Sequence, residues 1–335
     1  MKKILIFGAG SIGNHMTHAS MKLNFKVYIT DINQDALVRM KNIIYKNRYG
    51  KWDSSISQIK YNDVFKIKVK FDLIIIGTPP NTHLDIYYKC KKYLNFNKIL
   101  IEKPLCNYND SNFNKFIKIN NKNVYCGYNH SVSDSFIFFI EKLLEIKKIN
   151  SIEVFWKEGW NGILGAHFWL KNEFGSYLGN YKKGGGAFQE HSHGLHLLLL
   201  ILNALKIKIK NDLVKSISLF KGKKNKYDFY TFFSYFKKDI LIKYETDLIT
   251  NPSEKKILVK SNNMNLKWLV NFRKNYDAVK MNNRVFLFKK TRSKEFENEL
   301  KLILLDSDNR LINNLKLRFA IDVLKLIRAL FKKHE

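Results

Sequence analysis

Apolar positions along this chain change period repeatedly, and the changes mark its elements. Residues 2–7 form a short apolar run, the glycine-rich stretch Gly8–Gly13 follows at once, and residues 14–23 have helix-compatible spacing. A second apolar run, 25–30, ends at Asp31. Ala36, Leu37, Met40, Ile43 and Ile44 recur at helical spacing and predict a helix over 33–48. Residues 49–70 are polar and predict only a short strand and helix at a sheet edge. Residues 71–76 are β-branched and apolar, as in a parallel strand buried on both faces. They stop at Gly77-Thr78-Pro79-Pro80-Asn81-Thr82-His83, and a helical pattern resumes over 82–93. A strand at 98–101 delivers Glu102-Lys103-Pro104, then a helix at 110–119 and a strand at 124–128 close the series. Such alternation predicts an α/β domain over residues 1–128, a doubly wound parallel sheet of the Rossmann type.

The pattern after residue 128 differs. A helix over 134–147 carries Phe138, Phe139, Leu143 and Leu144, and a strand follows at 151–156. Residues 157–183 are rich in Gly, Trp and Tyr and have no period; Gly184-Gly185-Gly186 then opens an apolar helix. Strands are predicted at 214–220, 228–236, 239–248, 255–260 and 264–270, where alternation such as Phe229-x-Thr231-x-Phe233 gives a sheet with one covered face. Helices at 294–305 and 314–332 end the chain. The expectation is a second, α+β domain over 129–335. The apolar run at 195–202 is far short of the roughly 18 residues that span a bilayer, so it reads as a buried helix and no membrane insertion is expected.

The opening order is strand, Gly-x-Gly-x-x-Gly, helix, strand, acid, which is the dinucleotide-binding fingerprint in its required context. Gly8 allows the tight turn, Gly10 lets backbone approach a pyrophosphate, and Gly13 lets the helix pack on the sheet. Ser11 and Ile12 begin the helix, whose unpaired N–H groups and dipole favour phosphate. Asp31 lies where an acid accepts from the adenine-ribose hydroxyls; it would repel a 2′-phosphate, and Ile32 and Asn33 after it supply no cation. The cofactor expected is therefore NAD, with NADP less favoured.

The glycine loop, the Thr-Pro-Pro-Asn-Thr-His turn and the Glu-Lys-Pro turn, in this order and spacing, resemble the Gfo/Idh/MocA oxidoreductases, which include glucose-fructose oxidoreductase and inositol 2-dehydrogenase. Gly127-Tyr128-Asn129 is similar to the turn with which that family enters its second domain, although Ser131 and Asp134 stand where members often continue with Arg and Pro. Gly184–Gly186 followed by Glu190-His191-Ser192-His193 resembles the branch common among surface-polysaccharide enzymes, with Gly194 in place of a Glu and His196 in place of a later Asp. The commoner family pattern has its histidine at the position of Gly194. The resemblance implies a large, mostly antiparallel open sheet in the second domain, able to pair subunits into a dimer or tetramer. It also implies that Lys103 polarises a substrate oxygen, His193 transfers the proton and Glu190 orients it. Thr78, Pro79, Asn81, His83, Glu102, Lys103 and Asn129 would join the glycine loop and Asp31 in the cofactor site. Tyr128, Trp160, Trp169 and Tyr177 would join Lys103, Glu190 and His193 around a sugar, though aromatic loop residues more often simply fill a domain interface.

Charge adds less than its size suggests. The 335 residues hold 59 Lys and Arg against 29 Asp and Glu, a formal +30. The basic residues are spread over both halves, with short clusters only at 221–224 and 332–333, so specific nucleic-acid binding is not expected. The excess suits an anionic substrate such as a nucleotide-linked sugar. His191, His193 and His196 do not share one helical face and have no cysteine nearby, so no metal is expected. Three cysteines without short-spaced pairing, and an opening strand that runs straight into the glycine loop, suggest a reduced, cytoplasmic protein. Together these point to an NAD(P)-dependent dehydrogenase or reductase acting on a secondary alcohol or ketone of a sugar, in surface-polysaccharide biosynthesis. The competing reading is a nicotinamide-nucleotide sensor that has lost catalysis.

Overall fold

Two sheets of opposite character organise the chain in the computed structural model, which describes residues 1–119, 122–209, 215–223, 226–291, 293–305, 308 and 310–334. The first belongs to a compact unit made of Met1–Cys106, Asp110–Asn129 and Arg292–Leu317. Its strands are β1 (Lys3–Phe7), β2 (Lys26–Asp31), β3 (Ser57–Lys60), β4 (Lys70–Ile76), β5 (Asn95–Glu102) and β6 (Val124–Gly127). All pair in parallel, in the order β3-β2-β1-β4-β5-β6. Ile4–Ile6 and Leu73–Ile76 are fully buried, as expected of central strands covered on both faces. The strand order reverses between β1 and β4, and doubly wound sheets hold ligands outside the carboxyl ends of the strands at such a point. The glycine loop, the 77–83 turn and the Glu-Lys-Pro turn all leave those ends.

Local chemistry accounts for the shorter helices. The segment predicted at 33–48 forms Gln34–Arg39, a π turn Met40–Ile44 and Tyr45–Tyr49, and the side chain of Asn33 caps its start by accepting from the Asp35 N–H (2.9 Å). The helix predicted at 110–119 shrinks to one turn, Phe113–Phe116. Asp110 there accepts from the Asn112 N–H (2.8 Å), the local turn that competes with helix.

Helix Lys294–Leu305 lies in the first unit, although it follows the whole second sheet in sequence. Phe296 stacks on His15 (centroids 4.9 Å apart), Glu297 pairs with Lys22 (3.7 Å), and Lys98 donates to the Ile303 carbonyl (2.6 Å). The division at residues 128 and 129 is thus incomplete, because amphipathic spacing identifies a helix but not the surface it covers. The same helix buries Glu295 and Glu299. The Asn129 amide donates to Glu295 (3.1 Å), and a Cβ on Gly127 would fall 2.6 Å from Glu102 Oε1. Burial, then the charges of Glu102 and Glu295, push the Glu299 carboxyl well above its usual range.

The second unit comprises Asn107–Asn109, His130–Thr291 and Arg318–Glu335. Its strands are β7 (Ser151–Lys157), β8 (Lys215–Lys221), β9 (Tyr227–Lys237), β10 (Ile240–Asp247), β11 (Glu254–Lys260), β12 (Asn265–Arg273), β13 (Tyr276–Met281) and β14 (Arg284–Lys289). They lie in the order β14-β13-β12-β11-β7-β10-β9-β8, antiparallel except for β7 beside β10. Val214, where one strand was expected to start, lies outside the described residues, as does Lys224. Ile152, Val154, Trp156, Ile242, Tyr244, Ile257, Val259, Leu266 and Trp268 alternate along neighbouring strands and are all buried. Helices Asp134–Leu144 and Ser192–Ala204 pack on this sheet. The alternate positions Glu153, Lys157 and Glu245 carry ion pairs, Lys157–Glu245 at 2.5 Å and Lys260–Glu153 at 3.3 Å. β13 and β14 were not predicted; the signal was Asn282-Asn283 between two apolar runs, with Asn282 at φ 50°.

The buried acids give a testable pH dependence. A raised carboxyl value means that the folded state holds a proton which the unfolded chain, at about its ordinary 4.5, gives up. This contribution is complete below that value and is lost as pH rises through the folded one. Glu299→Gln should therefore unfold at a higher temperature than the native chain at pH 8, and the gap should close toward pH 4.5 in calorimetry across pH.

Candidate functional site

In the first unit the glycine loop is built by backbone-to-backbone contact. Gly8 has φ 104°, and a Cβ there would fall 2.6 Å from the Gly77 carbonyl oxygen. A Cβ on Gly13 would lie 1.9 Å from the Gly8 oxygen, so only glycine lets helix Ser11–Lys22 start this close to β1. Gly10 differs, since a Cβ there would meet nothing within 4 Å. Space above Gly10, with the helix N–H groups beginning at Ser11, is the cradle a pyrophosphate requires. Asp31 ends β2 and accepts from the Ala9 N–H through Oδ2 (2.7 Å) and the Asn33 N–H through Oδ1 (2.8 Å). Each carboxylate oxygen keeps a further lone pair for a hydroxyl donor. Ile32 beside it is 81% exposed. The residues present therefore fit a dinucleotide.

The two other turns of this unit are tied together by His83. It is fully buried, with Nε2 facing the Thr78 carbonyl (2.7 Å) and Nδ1 facing those of Pro104 and Leu105 (both 3.2 Å). Burial lowers its pKa to about 4 despite the pull of those carbonyls. His83 thus holds the Thr-Pro-Pro turn to the Glu-Lys-Pro turn and presents no side chain to a cofactor, contrary to expectation. Thr78 and Thr82 share a hydroxyl hydrogen bond (2.8 Å), Thr82 donates to the Pro79 carbonyl (2.7 Å), and Pro79 is exposed. Asn81 is partly exposed on the same turn. From Ile99 to Tyr108 every residue is buried except Lys103, which follows β5 and precedes a cis proline. Glu102 is buried, and its Oε2 accepts from the Lys103 N–H (3.3 Å). Tyr128 is only 1% exposed and packs in the interior, and the Asn129 amide is committed to Glu295. Both side chains therefore lie inward of the partly exposed Lys103 turn.

In the second unit the triple glycine makes room for protein atoms. A Cβ on Gly185 would meet the Tyr177 and Leu178 carbonyl oxygens at 2.2 and 2.3 Å, and one on Gly186 (φ 87°) would lie 2.0 Å from Asp228 Oδ1. Asp228 is fully buried on β9 and accepts from the Phe188 N–H (2.8 Å) and the Thr231 hydroxyl (3.0 Å). Burial raises its carboxyl to about 7. The predicted helix is two, Ala187–Glu190 and Ser192–Ala204, broken at His191. The break separates the three histidines. His191 is buried against the Thr246 hydroxyl (3.1 Å), and His196 is buried edge-on to Phe319. From Ala187 to His196 only Glu190 and His193 reach the surface. The His193 ring meets His130 edge-to-face at 4.8 Å. Gly194 faces inward, where a Cβ would fall 2.7 Å from that of Trp156.

The aromatic loop does not form one wall. Trp160 and Tyr177 pack on a core cluster of Ile163, Leu178, Ala187, Tyr227 and Leu248, and the Trp160 indole donates to the Tyr227 hydroxyl (3.2 Å). Trp169 meets the rings of His167 and Phe168. Among the described residues no group of three His, Cys, Asp or Glu could hold a metal ion, and no helix is long and apolar enough to cross a membrane.

Whole-chain comparison identifies the architecture. KijD10, a 3-ketoreductase from Actinomadura kijaniata solved with NADP and TDP-benzene, superposes with a TM-score of 0.70 at 10% identity, over 99% of this chain and 97% of its own. The WlbA dehydrogenase from Bordetella pertussis, solved with NADH and UDP-GlcNAcA, gives 0.66 at 14% identity over 99% and 95%. Levoglucosan dehydrogenase, solved with NADH and levoglucosan, gives 0.71 at 12% over 99% and 96%. The chain has a Gfo/Idh/MocA-type fold. No family model matches the sequence, and no curated protein matches it.

Several residues at these positions escape sequence reasoning. Arg48 donates to the Ser11 hydroxyl (3.0 Å) at the start of helix Ser11–Lys22, yet lies 37 residues away with no spacing rule to link them. His130 and Asp228 are equally remote from the residues they face. Glu295 and Glu299 did leave a signal, two acids four apart beside a helix's apolar stripe. Asp228 yields a second pH test. Its contribution is complete below the ordinary 3.8 and is lost as pH rises to about 7. Asp228→Asn, which keeps the acceptor for Phe188, should exceed the native chain in stability by a few kcal/mol at pH 8. The excess should vanish toward pH 4, read from urea unfolding at both pH values.

Proposed function

We propose that this chain is an NAD-dependent oxidoreductase of the Gfo/Idh/MocA kind, acting on a secondary alcohol or ketone of a nucleotide-linked sugar. The observation that carries the reading is the glycine loop at the sheet's switch point, with Gly10 open, the helix N-terminus beside it and Asp31 braced against the Ala9 N–H. Asp31 supports NAD over NADP, since a carboxylate repels a 2′-phosphate. Exposed Ile32 offers an apolar surface to the adenine ring. TDP-benzene in KijD10 and UDP-GlcNAcA in WlbA support a nucleotide-linked substrate. A role in surface-polysaccharide synthesis in the cytoplasm, by a homo-oligomer paired through the second sheet, follows the same resemblance.

When bound, the nicotinamide exchanges a hydride with the substrate carbon. The protein manages charge and proton at the substrate oxygen. Lys103, the partly exposed member of its buried turn, donates a hydrogen bond to that oxygen and stabilises negative charge developing there. His193, the partly exposed histidine of its segment, takes or gives the proton, a role an imidazole fills in either direction of the reaction. Glu190, the other surface-reaching residue, orients the imidazole or holds a neighbouring hydroxyl.

Fluorescence titration with NADH should show tight binding that weakens about tenfold or more in Asp31→Ala, with NADPH binding more weakly to the native chain. Lys103→Ala should lower turnover of a nucleotide-linked sugar by roughly a hundredfold while NADH affinity stays nearly unchanged. Failure to bind either nucleotide would overturn the oxidoreductase reading, and normal turnover would remove Lys103 from the mechanism.

A further inference from the structure

The second unit contains a cavity of about 480 Å³ lined by Tyr108, Tyr181, Lys182, Lys226, Arg328 and Lys332 among others. Among the described residues, none that lines it is acidic. Four cations come from three separate stretches of chain. Arg328 and Lys332 are one turn apart at the end of the C-terminal helix, Lys182 lies in the 3₁₀ turn Tyr181–Lys183, and Lys226 immediately precedes β9. The helix dipole favours cations in a last turn and so accounts for Arg328, but it has no bearing on Lys182 or Lys226. Like charges gathered around one cavity repel, and like charges four apart on a helix destabilise it. A basic composition alone places two lysines, Lys91 and Lys122, around a cavity of the first unit, half the number gathered here. Another cavity of that unit is lined by Lys2 together with Asp72, which pair at 3.6 Å.

The floor beneath the cations is rigid. Tyr108 and Tyr181 stack at 5.4 Å and 15°, and both rings are buried, leaving no face for a base to stack on. Gln189, fully buried, accepts from the Tyr108 N–H (2.9 Å) and donates to the carbonyls of Tyr181 (2.6 Å) and Gly185 (3.0 Å). Asn107 donates to the Lys182 carbonyl (2.8 Å). Two lysine side chains lie over aromatic rings, with Lys226 Nζ 4.5 Å from the Phe220 centroid and Lys182 Nζ 5.9 Å from that of Tyr181.

We propose that this cavity is a binding site for a diphosphate group. A compact ligand of high negative charge neutralises the four cations together, and the Arg328 guanidinium matches two phosphate oxygens at once. Free pyrophosphate and the diphosphate of a nucleotide-linked sugar share this chemistry. Since Gln189 directly precedes Glu190, occupancy of the cavity braces the segment that carries Glu190 and His193. The site stands on its own residues and does not require the oxidoreductase reading.

Calorimetric titration of the full chain with inorganic pyrophosphate tests this, with saturating NADH present so that the glycine loop is not the acceptor. If NADH does not bind, Gly10→Val, whose side chain would occupy the open space of the glycine loop, serves as the background instead. Native protein should bind one equivalent. Lys226→Gln/Arg328→Gln should weaken binding tenfold or more, and Lys182→Gln alone several-fold, with unchanged circular dichroism and NADH affinity. UDP-glucose binding tighter than pyrophosphate would assign the group to a nucleotide-linked sugar, and equal affinity to free diphosphate, both consistent with the site. Pyrophosphate binding unaffected by these substitutions, or matched by sulfate at equal ionic strength, would overturn it. So would binding only of a single-stranded oligonucleotide, which would make the patch a nucleic-acid surface.

Discussion

Contact between main-chain atoms at the carboxyl ends of β1 and β4 is the constraint on which the first unit depends. Gly13 lies against the Gly8 carbonyl, Gly8 against that of Gly77, and Gly77 against the Ile12 side chain. Three peptide segments that would ordinarily be held apart by Cβ atoms are in van der Waals contact, so the helix begins within the sheet's edge field and not beyond it. Everything attached to those ends inherits this placement. Asp31 can brace Ala9 only because β2 ends level with the loop, and His83 can span two turns only because β4 and β5 end side by side.

A second theme is the burial of carboxyl groups behind the two stretches that leave Lys103, and Glu190 with His193, partly exposed. Glu102, Glu295 and Glu299 lie beneath the Lys103 turn, and Asp228 lies beneath the helix that leads to Glu190 and His193. In both places a glycine, Gly127 or Gly186, supplies the space the carboxyl occupies. Burying a carboxyl costs free energy unless it is hydrogen-bonded or holds its proton, and here the raised values of Glu299 and Asp228 indicate the second solution. The same polar interior that positions the surface groups also makes the fold sensitive to alkali.

Legibility in the sequence followed the range of each interaction. Period and punctuation located β1, β2, β4, the glycine loop and most of the second sheet within a residue or two, since these depend on neighbours in the chain. The resemblance brought Lys103, Glu190 and His193 forward, and the structure leaves each of them partly exposed where adjacent residues are buried. What failed was long-range. Nothing in residues 294–305 told which unit the helix would cover, nothing near Gly186 announced Asp228, and His83 is buried although Thr78, Pro79 and Asn81 of its turn reach the surface. Tyr128 and Asn129 were chosen for their motif, but burial is a property of the assembled unit and no local pattern encodes it.

The packing of Gly194 against Trp156 has a consequence for how such chains can diverge. The helix crosses β7 with no room for even a methyl group at position 194, so a carboxylate side chain there is incompatible with an indole at position 156. Because the nearest atom is the Cβ that every residue but glycine carries at position 156, an acid at position 194 requires a helix set further from the sheet. The spacing between helix and strand, more than the size of one side chain, therefore decides which residue can follow His193.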